Sequence, residues 1–348
     1  MSKLFSLTRV AGFLVVGLMT VGFASSALAD GFWNYVEPGS VEVAGLGATI
    51  ATSASGGKVA ICTDKTVTYP AGKNETPITE RCLQGSATAF MAYTSGSDQS
   101  DILVVFIHGD TYQDDGRVEP VNKKGWIEQT GWAAIDYVKG TGDPQPSILN
   151  IIRAGEEVQS PGGGEQTSSG DNLGGKDNHI LPYIDDMAAA IRLHMQQVGA
   201  TRLLIVGHSG GANYATIMPS RHADLAKQIG VISVSCGCDV QAWRSYAANK
   251  YNNRSILRET RGENPMDHLN NIRPDTIIWA FTPYNDDVTP SRFDAAYIEA
   301  LQARGHPNAR FVELHDMEGT SPLDGHKYKY QYILPYAVEM FALLRGQN

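Results

Sequence analysis

From Asp101 to the C-terminus, apolar runs of strand length alternate with amphipathic stretches of helix length. This alternation constrains the fold more than any other feature. Runs that are apolar throughout must be covered on both faces, and the intervening helices are the available cover, so the chain reads as a mostly parallel, doubly wound α/β sheet. The predicted strands are ILVVFI (102–107), SILNII (147–152), RLLIV (202–206), GVISVS (230–235), TIIWAF (276–281) and RFVEL (310–314). Between the second and third, Pro182 to Val198 sets Ile184, Met187, Ala188, Ile191, Met195 and Val198 on one helical face, with Pro182 suited to the first turn. Further helices are expected over 290–304 and 329–345. The segment 31–98 lacks helical period and is rich in Gly, Thr and Ser, which predicts antiparallel strands at the edge of the same domain.

Two stretches interrupt the pattern. Residues 155–178 hold seven glycines and little apolar content. They are too long for an ordinary connection, and read either as a mobile loop on the substrate side or as disorder without a role. Residues 236–275 separate two strands and carry Trp243, Tyr246 and Tyr251, enough for a small helical cap whose aromatics pack or line a pocket.

The first residues are of another kind. Lys3 and Arg9 precede an apolar run from Val10 to Phe23, and small residues follow through Ala29. That order of charged, apolar and small-residue regions predicts a signal peptide over 1–29 rather than a membrane anchor, since the apolar run is short for a bilayer and contains glycines. No other segment is long and apolar enough to span. Residues 30–348 are then expected to form a single domain, exported to the periplasm or secreted. The chain has 28 basic against 37 acidic residues, a net charge of −9. Loss of Lys3 and Arg9 would take it to −11, which disfavours a nucleic-acid partner.

Export would allow the four cysteines to pair. Cys62 and Cys82 enclose a polar, turn-rich stretch, and closing a loop of about 20 residues contributes about 3 kcal/mol through the unfolded state. Cys236 and Cys238 flank Gly237; a bridge is the favoured reading and two free thiols behind a buried strand the alternative. No C-x-x-C, H-E-x-x-H or similar spacing supports a metal site.

The chemistry is carried by Gly207-His208-Ser209-Gly210-Gly211, which follows the strand RLLIV and precedes ANYATIM, a segment able to start a helix. With 36 glycines in the chain, G-x-S-x-G alone is a weak signal; the strand before it and the helix after it supply the physics. A sharp strand-to-helix turn exposes the Ser209 hydroxyl, and the helix N-terminus favours developing negative charge. In this context the sequence resembles the α/β-hydrolase superfamily over roughly residues 100–348, with some features similar to prolyl-oligopeptidase-like and dienelactone-hydrolase-like members in NPMDHLNNIRPDTIIWAF.

The resemblance implies an α/β-hydrolase fold with Ser209 as nucleophile, followed in chain order by an acid and a histidine. The loop Thr282-Pro283-Tyr284-Asn285-Asp286-Asp287-Val288-Thr289-Pro290 is similar to the family's acid loop, with Asp286 as the acid and Asp287 as runner-up. His326, in Asp324-Gly325-His326 ahead of the last helix, takes the place of the general base; His306 and His315 read as structural or exposed. His108-Gly109-Asp110 resembles an oxyanion motif, in which the Gly210 backbone N–H and that of Asp110, or of Gly109, would hold the tetrahedral oxygen. An acidic side chain there is repulsive unless it points away or is paired. Arg153 and Arg244 could each hold a carboxylate or form salt bridges.

The implied reaction is carboxylic ester hydrolysis through an acyl-enzyme, without cofactor. The alternatives are a peptidase or amidase acting on a peptide-like substrate, acyl transfer to a non-water acceptor, or an inert ligand-binding domain. Oligomeric state and the acyl group are not legible in the sequence.

Overall fold

A computed structural model describes residues 50–52, 58–61, 65–68, 77–85, 89–96, 99–110, 146–153, 157–159, 165–167, 179–258, 262–327 and 329–346. The expected signal peptide and Cys62 lie outside these residues. Six strands form an all-parallel sheet: β1 (Ile102–Ile107), β2 (Ser147–Ile152), β3 (Arg202–His208), β4 (Gln228–Val234), β5 (Ile277–Pro283) and β6 (Ala309–Leu314). Their spatial order is β2-β1-β3-β4-β5-β6. Among the described residues the α-helices are α1 (Leu181–Val198), α2 (Gly210–Arg221), α3 (Val240–Lys250), α4 (Arg292–Gln302) and α5 (Tyr330–Arg345).

Alternate side chains of each strand enter two different cores. Leu103, Val105 and Ile107 of β1 join α1, α2 and α4 residues such as Ile184, Tyr214 and Tyr297 on one face. Ile102, Val104 and Phe106 enter a second core, which also holds Tyr332, Met340 and Phe341 of α5. Both faces of β1 to β5 are therefore largely covered, which explains why those runs are mostly apolar, whereas the edge strand β6 leaves Arg310 and Glu313 exposed; each buried aliphatic side chain contributes roughly 1.5–3 kcal/mol. Strand β3 lies between β1 and β4, with Ile205 opposite Val105 on one side and Val231 on the other.

The chain passes from β1 outward to β2 and then returns to place β3 on the opposite side of β1. Such a reversal leaves a crevice at the carboxyl ends of the two strands. His108–Asp110 leave β1 there and Ser209 leaves β3. Helix α1 ends at Gly199, whose φ of 73° is the left-handed conformation that glycine adopts without a side-chain clash. Its buried Asp185 accepts hydrogen bonds from Arg221 Nε, from Arg221 Nη2 at 2.7 Å and from His222 Nε2 at 2.9 Å. These bonds fix the far end of α2 against α1.

Within 155–178, Glu157–Gln159 pairs antiparallel with Glu165–Thr167, where the sequence predicts only irregular chain; three-residue strands in a glycine-rich stretch carry too little alternation to read. Residues 236–275 hold α3 and three 3₁₀ turns. Among the described residues no helix is long and apolar enough to cross a membrane.

Candidate active site

Ser209 stands at φ 52°, ψ −123°, a conformation unfavourable for a residue with a side chain. Its N–H donates to Val234 O at 2.8 Å, and its carbonyl accepts from Ala212 N at 2.9 Å, so β4 and the first turn of α2 hold the strained residue from both sides. The turn closes only because its neighbours lack side chains. A Cβ at Gly207 would lie 2.5 Å from Gly211 O, and one at Gly211 would lie 2.2 Å from Ile107 O. Across the crevice, a Cβ at Gly109 would lie 2.8 Å from Ser209 Cβ, so the loop after β1 runs directly beside the nucleophile candidate.

Ser209, His326 and Asp286 meet although His326 is separated from Ser209 by 117 positions and from Asp286 by 40. His326 Nε2 lies 2.8 Å from Ser209 Oγ, and its Nδ1 lies 2.9 Å from Asp286 Oδ2. The Asp286 side chain is fully buried whereas that of His326 is 21% exposed. Asp286 Oδ1 accepts from the N–H groups of Val288 and Thr289, both at 2.9 Å, and Oδ2 accepts from Thr289 Oγ1 at 2.8 Å. Burial alone would raise this carboxyl, but the hydrogen bond and charge of His326 and the Thr289 N–H outweigh it and bring it down to about 2. An ionised Asp286 accepts a hydrogen bond from His326 Nδ1–H, which leaves Nε2 as acceptor for the Ser209 hydroxyl.

Asp287 points elsewhere. Its side chain is 78% exposed and pairs with Lys250 of α3 at 2.9 Å. His315 is exposed beside Glu313, and His306 is buried in the turn after α4, so neither reaches Ser209. Asp110 is paired: Arg153 Nη2 donates to its Oδ1 at 2.6 Å. Desolvation is the largest influence and would raise the Asp110 carboxyl, but the charge and hydrogen bond of Arg153, acting with His179 and His326, together outweigh it and hold the carboxyl below its ordinary value.

Three further residues shape the site without having been singled out for it from the sequence. His208 Nε2 donates to His326 O at 2.7 Å and so anchors the histidine loop. Thr289 Oγ1 touches Asp286 Oδ2, Ser235 O at 3.2 Å and His326 Nδ1 at 3.1 Å. The His108 ring accepts from Arg153 N through Nε2 and donates through Nδ1 to Gly109 O. Each of the three lies inside a motif quoted from the sequence, His208 in the pentapeptide, His108 in the oxyanion motif and Thr289 in the acid loop, but the contacts that give them a role join distant segments.

Behind the acid loop, the Cys236 and Cys238 sulfurs lie 2.01 Å apart. With Asp294 they form a buried group of potential metal ligands, one that could accept a cation only with both thiols reduced. Asp294 Oδ2 accepts from Thr282 Oγ1 at 2.6 Å and Cys236 N at 3.2 Å, and burial pushes its carboxyl up to about 6.

No family model and no curated protein matches this chain. Among solved structures it is similar to an esterase of Pyrococcus furiosus at 12% identity, covering 81% of this chain and 91% of that one with a TM-score of 0.50. It is also similar to a protein of Butyrivibrio proteoclasticus with ferulic acid bound, at 12% identity, 75% and 97% coverage and a TM-score of 0.49. A third is the esterase domain of a Rhodothermus marinus protein, at 16% identity, 81% and 97% coverage and a TM-score of 0.43. At these identities the likeness is one of fold, and the chain has the α/β-hydrolase fold.

Proposed function

We propose that this protein is an exported serine hydrolase that cleaves a carboxylic ester through an acyl-enzyme. The observation that carries the reading is the single imidazole that reaches Ser209 Oγ with one nitrogen and the buried Asp286 carboxylate with the other. An unassisted serine hydroxyl is a weak nucleophile. As Oγ attacks the acyl carbon, its proton passes to His326 Nε2, while Asp286 stabilises the imidazolium and fixes its orientation. The same proton then goes to the departing alkoxide, leaving the acyl group on Ser209. Water repeats the cycle and releases the acid. The N–H groups of Gly210 and Asp110 hold the tetrahedral oxyanion.

An ester is favoured because an alkoxide leaves more readily than an amine and demands less of the general acid. The esterase from Pyrococcus furiosus that shares the fold is in keeping with this. The substrate is read as a small molecule and no cofactor is invoked. Export rests on the leader sequence over 1–29.

Three parts of the architecture belong to the same proposal. The segment 31–98 extends the sheet with antiparallel strands, supported by the backbone pairing of Pro77–Gly85 with Ala89–Gly96 and of the latter with Ser147–Ile152. Helix α3 and the 3₁₀ turns after it serve as a cap, supported by Trp243 Nε1 donating to Val288 O at 2.9 Å and Tyr246 OH to Asp287 O at 2.7 Å. Cys236 and Cys238 form a bridge under the acid loop.

A fluorophosphonate probe should label the wild type and not Ser209→Ala. Absence of labelling on a folded wild-type sample would end the reading. Turnover of aminoacyl anilides without turnover of short-chain p-nitrophenyl esters would replace the esterase by an amidase.

A further inference from the structure

The acidic residue in the oxyanion loop is placed where a negative charge does the most harm. A Cβ built on Gly210 would lie 2.1 Å from Asp110 Oδ1 and 2.8 Å from Arg153 Nη1. Gly210 contributes one of the two N–H groups assigned above to the oxyanion, so both the Asp110 carboxylate and the Arg153 guanidinium sit beside the residue that carries that donor. Arg153 itself is 1% exposed, at the end of β2. Its guanidinium carbon lies 5.8 Å from the centroid of the Tyr214 ring on α2. Buried charges of this kind persist where their partner offsets the cost of desolvation.

The backbone of Arg153 has a separate task. Its N–H donates to His108 Nε2 at 3.1 Å, which leaves the ring proton on Nδ1, and Nδ1 donates to Gly109 O at 2.6 Å. The Gly109–Asp110 peptide is trans, so its N–H points opposite to the carbonyl that His108 holds. This chain of bonds aims the Asp110 N–H away from His108. It uses only the main chain of Arg153 and survives replacement of its side chain.

Resting on the esterase reading above, we infer that Arg153 is a positioning residue whose side chain neutralises and holds the Asp110 carboxylate, so that an acidic oxyanion loop can stabilise a developing anion. Without the guanidinium, an unpaired carboxylate a few ångströms from the oxyanion opposes the charge formed in the transition state. The substrate ester is neutral at that carbon, so the opposition falls on turnover and not on ground-state binding. A unit charge at about 5 Å through an effective dielectric constant of about 20 opposes a second one by about 300-fold in rate, and solvent at the Asp110 side chain, 37% exposed, screens this to about a hundredfold.

The experiment compares wild type, Arg153→Gln, Asp110→Asn and the double variant, each checked for folding by circular dichroism and thermal melting. The readouts are kcat and KM on a p-nitrophenyl ester, and the affinity for a phenylboronic acid that becomes a tetrahedral anion on Ser209. Arg153→Gln should lose about a hundredfold in kcat with KM within about threefold of wild type, and weaken boronate binding in parallel. Adding Asp110→Asn should recover at least about tenfold of both losses, since it removes the charge left unpaired. Asp110→Asn alone should bind the boronate about threefold more tightly or better, because it removes a negative charge from beside the anion. A folded Arg153→Gln with kcat near wild type, or a double variant no better than Arg153→Gln, overturns the inference and leaves the esterase reading intact. If Arg153→Gln fails to fold, Asp110→Asn decides: weaker boronate binding overturns the inference, tighter binding supports it. A folded wild type that neither hydrolyses the ester nor reacts with fluorophosphonate overturns both.

Discussion

Replacing Asp286 by asparagine tests the candidate site at the point where geometry dictates the outcome. Asp286 Oδ1 accepts two backbone N–H groups, from Val288 and Thr289, and Oδ2 faces His326 Nδ1. An asparagine must keep its carbonyl oxygen toward the two N–H donors, since turning its NH₂ to them would set donor against donor in a buried loop. The NH₂ group then faces His326 Nδ1. Nδ1 must accept, the ring proton moves to Nε2, and Nε2 can no longer take the Ser209 proton. In a triad the wrong tautomer costs roughly 10⁴ in kcat with little change in fold. Asp287→Asn provides the control: its carboxylate is exposed and paired with Lys250 at the surface, so its loss should change kcat by less than about threefold. The assay is steady-state hydrolysis of p-nitrophenyl acetate at pH 8, with thermal melting to verify that both variants are folded. An Asp286→Asn variant retaining more than about a tenth of wild-type kcat, or an Asp287→Asn variant falling as far, would refute the argument.

Two further predictions concern stability. Gly211→Ala would set a Cβ 2.2 Å from Ile107 O and 2.3 Å from His108 O, backbone atoms that cannot swing aside. It should destabilise by about 3 kcal/mol or more and abolish activity, and a thermal melt unchanged from wild type would contradict the packing described here. Asp294, pushed up to about 6 from an ordinary 3.8, binds its proton more tightly in the folded state. Its contribution is therefore fullest below pH 3.8 and is lost as pH rises through about 6, about 3 kcal/mol in all. Asp294→Asn keeps an acceptor for Thr282 and Cys236 and removes this titration. Urea unfolding between pH 4 and 7 should show the stability of wild type falling relative to the variant, and a constant difference would exclude the assigned burial effect.

Much of this architecture could be read directly from the sequence, for reasons that are local. The strand cores fell where apolar runs lie, because a strand covered on both faces disfavours polar side chains, though Asn150 and Ser233 are buried within two of them and the edge strand β6 keeps Arg310 and Glu313 exposed. The turn at Ser209 was visible because three glycines fall within five residues; Gly207 and Gly211 answer backbone contacts that no side chain could survive, and Gly210 answers the side chains of Asp110 and Arg153. The order of Ser209, the acidic pair and His326 was implied by the resemblance to the α/β-hydrolase superfamily. The boundaries of β3 and β5 extended beyond their apolar runs, through His208 and Pro283, because parallel pairing continues while neighbouring strands offer hydrogen bonds.

Tertiary structure decided what depended on direction. Asp286 and Asp287 are chemically identical neighbours. One turns inward to the N–H groups of its own loop and to His326, while the other meets Lys250 on α3, a helix that sequence reading placed only as an unspecified cap. Asp110 appeared repulsive until Arg153, 43 residues away, was brought against it by the adjacency of β1 and β2. Local propensity and hydrophobic period act over a few residues and leave their mark in sequence, whereas the partner of a buried charge is chosen by which strand ends the sheet sets side by side.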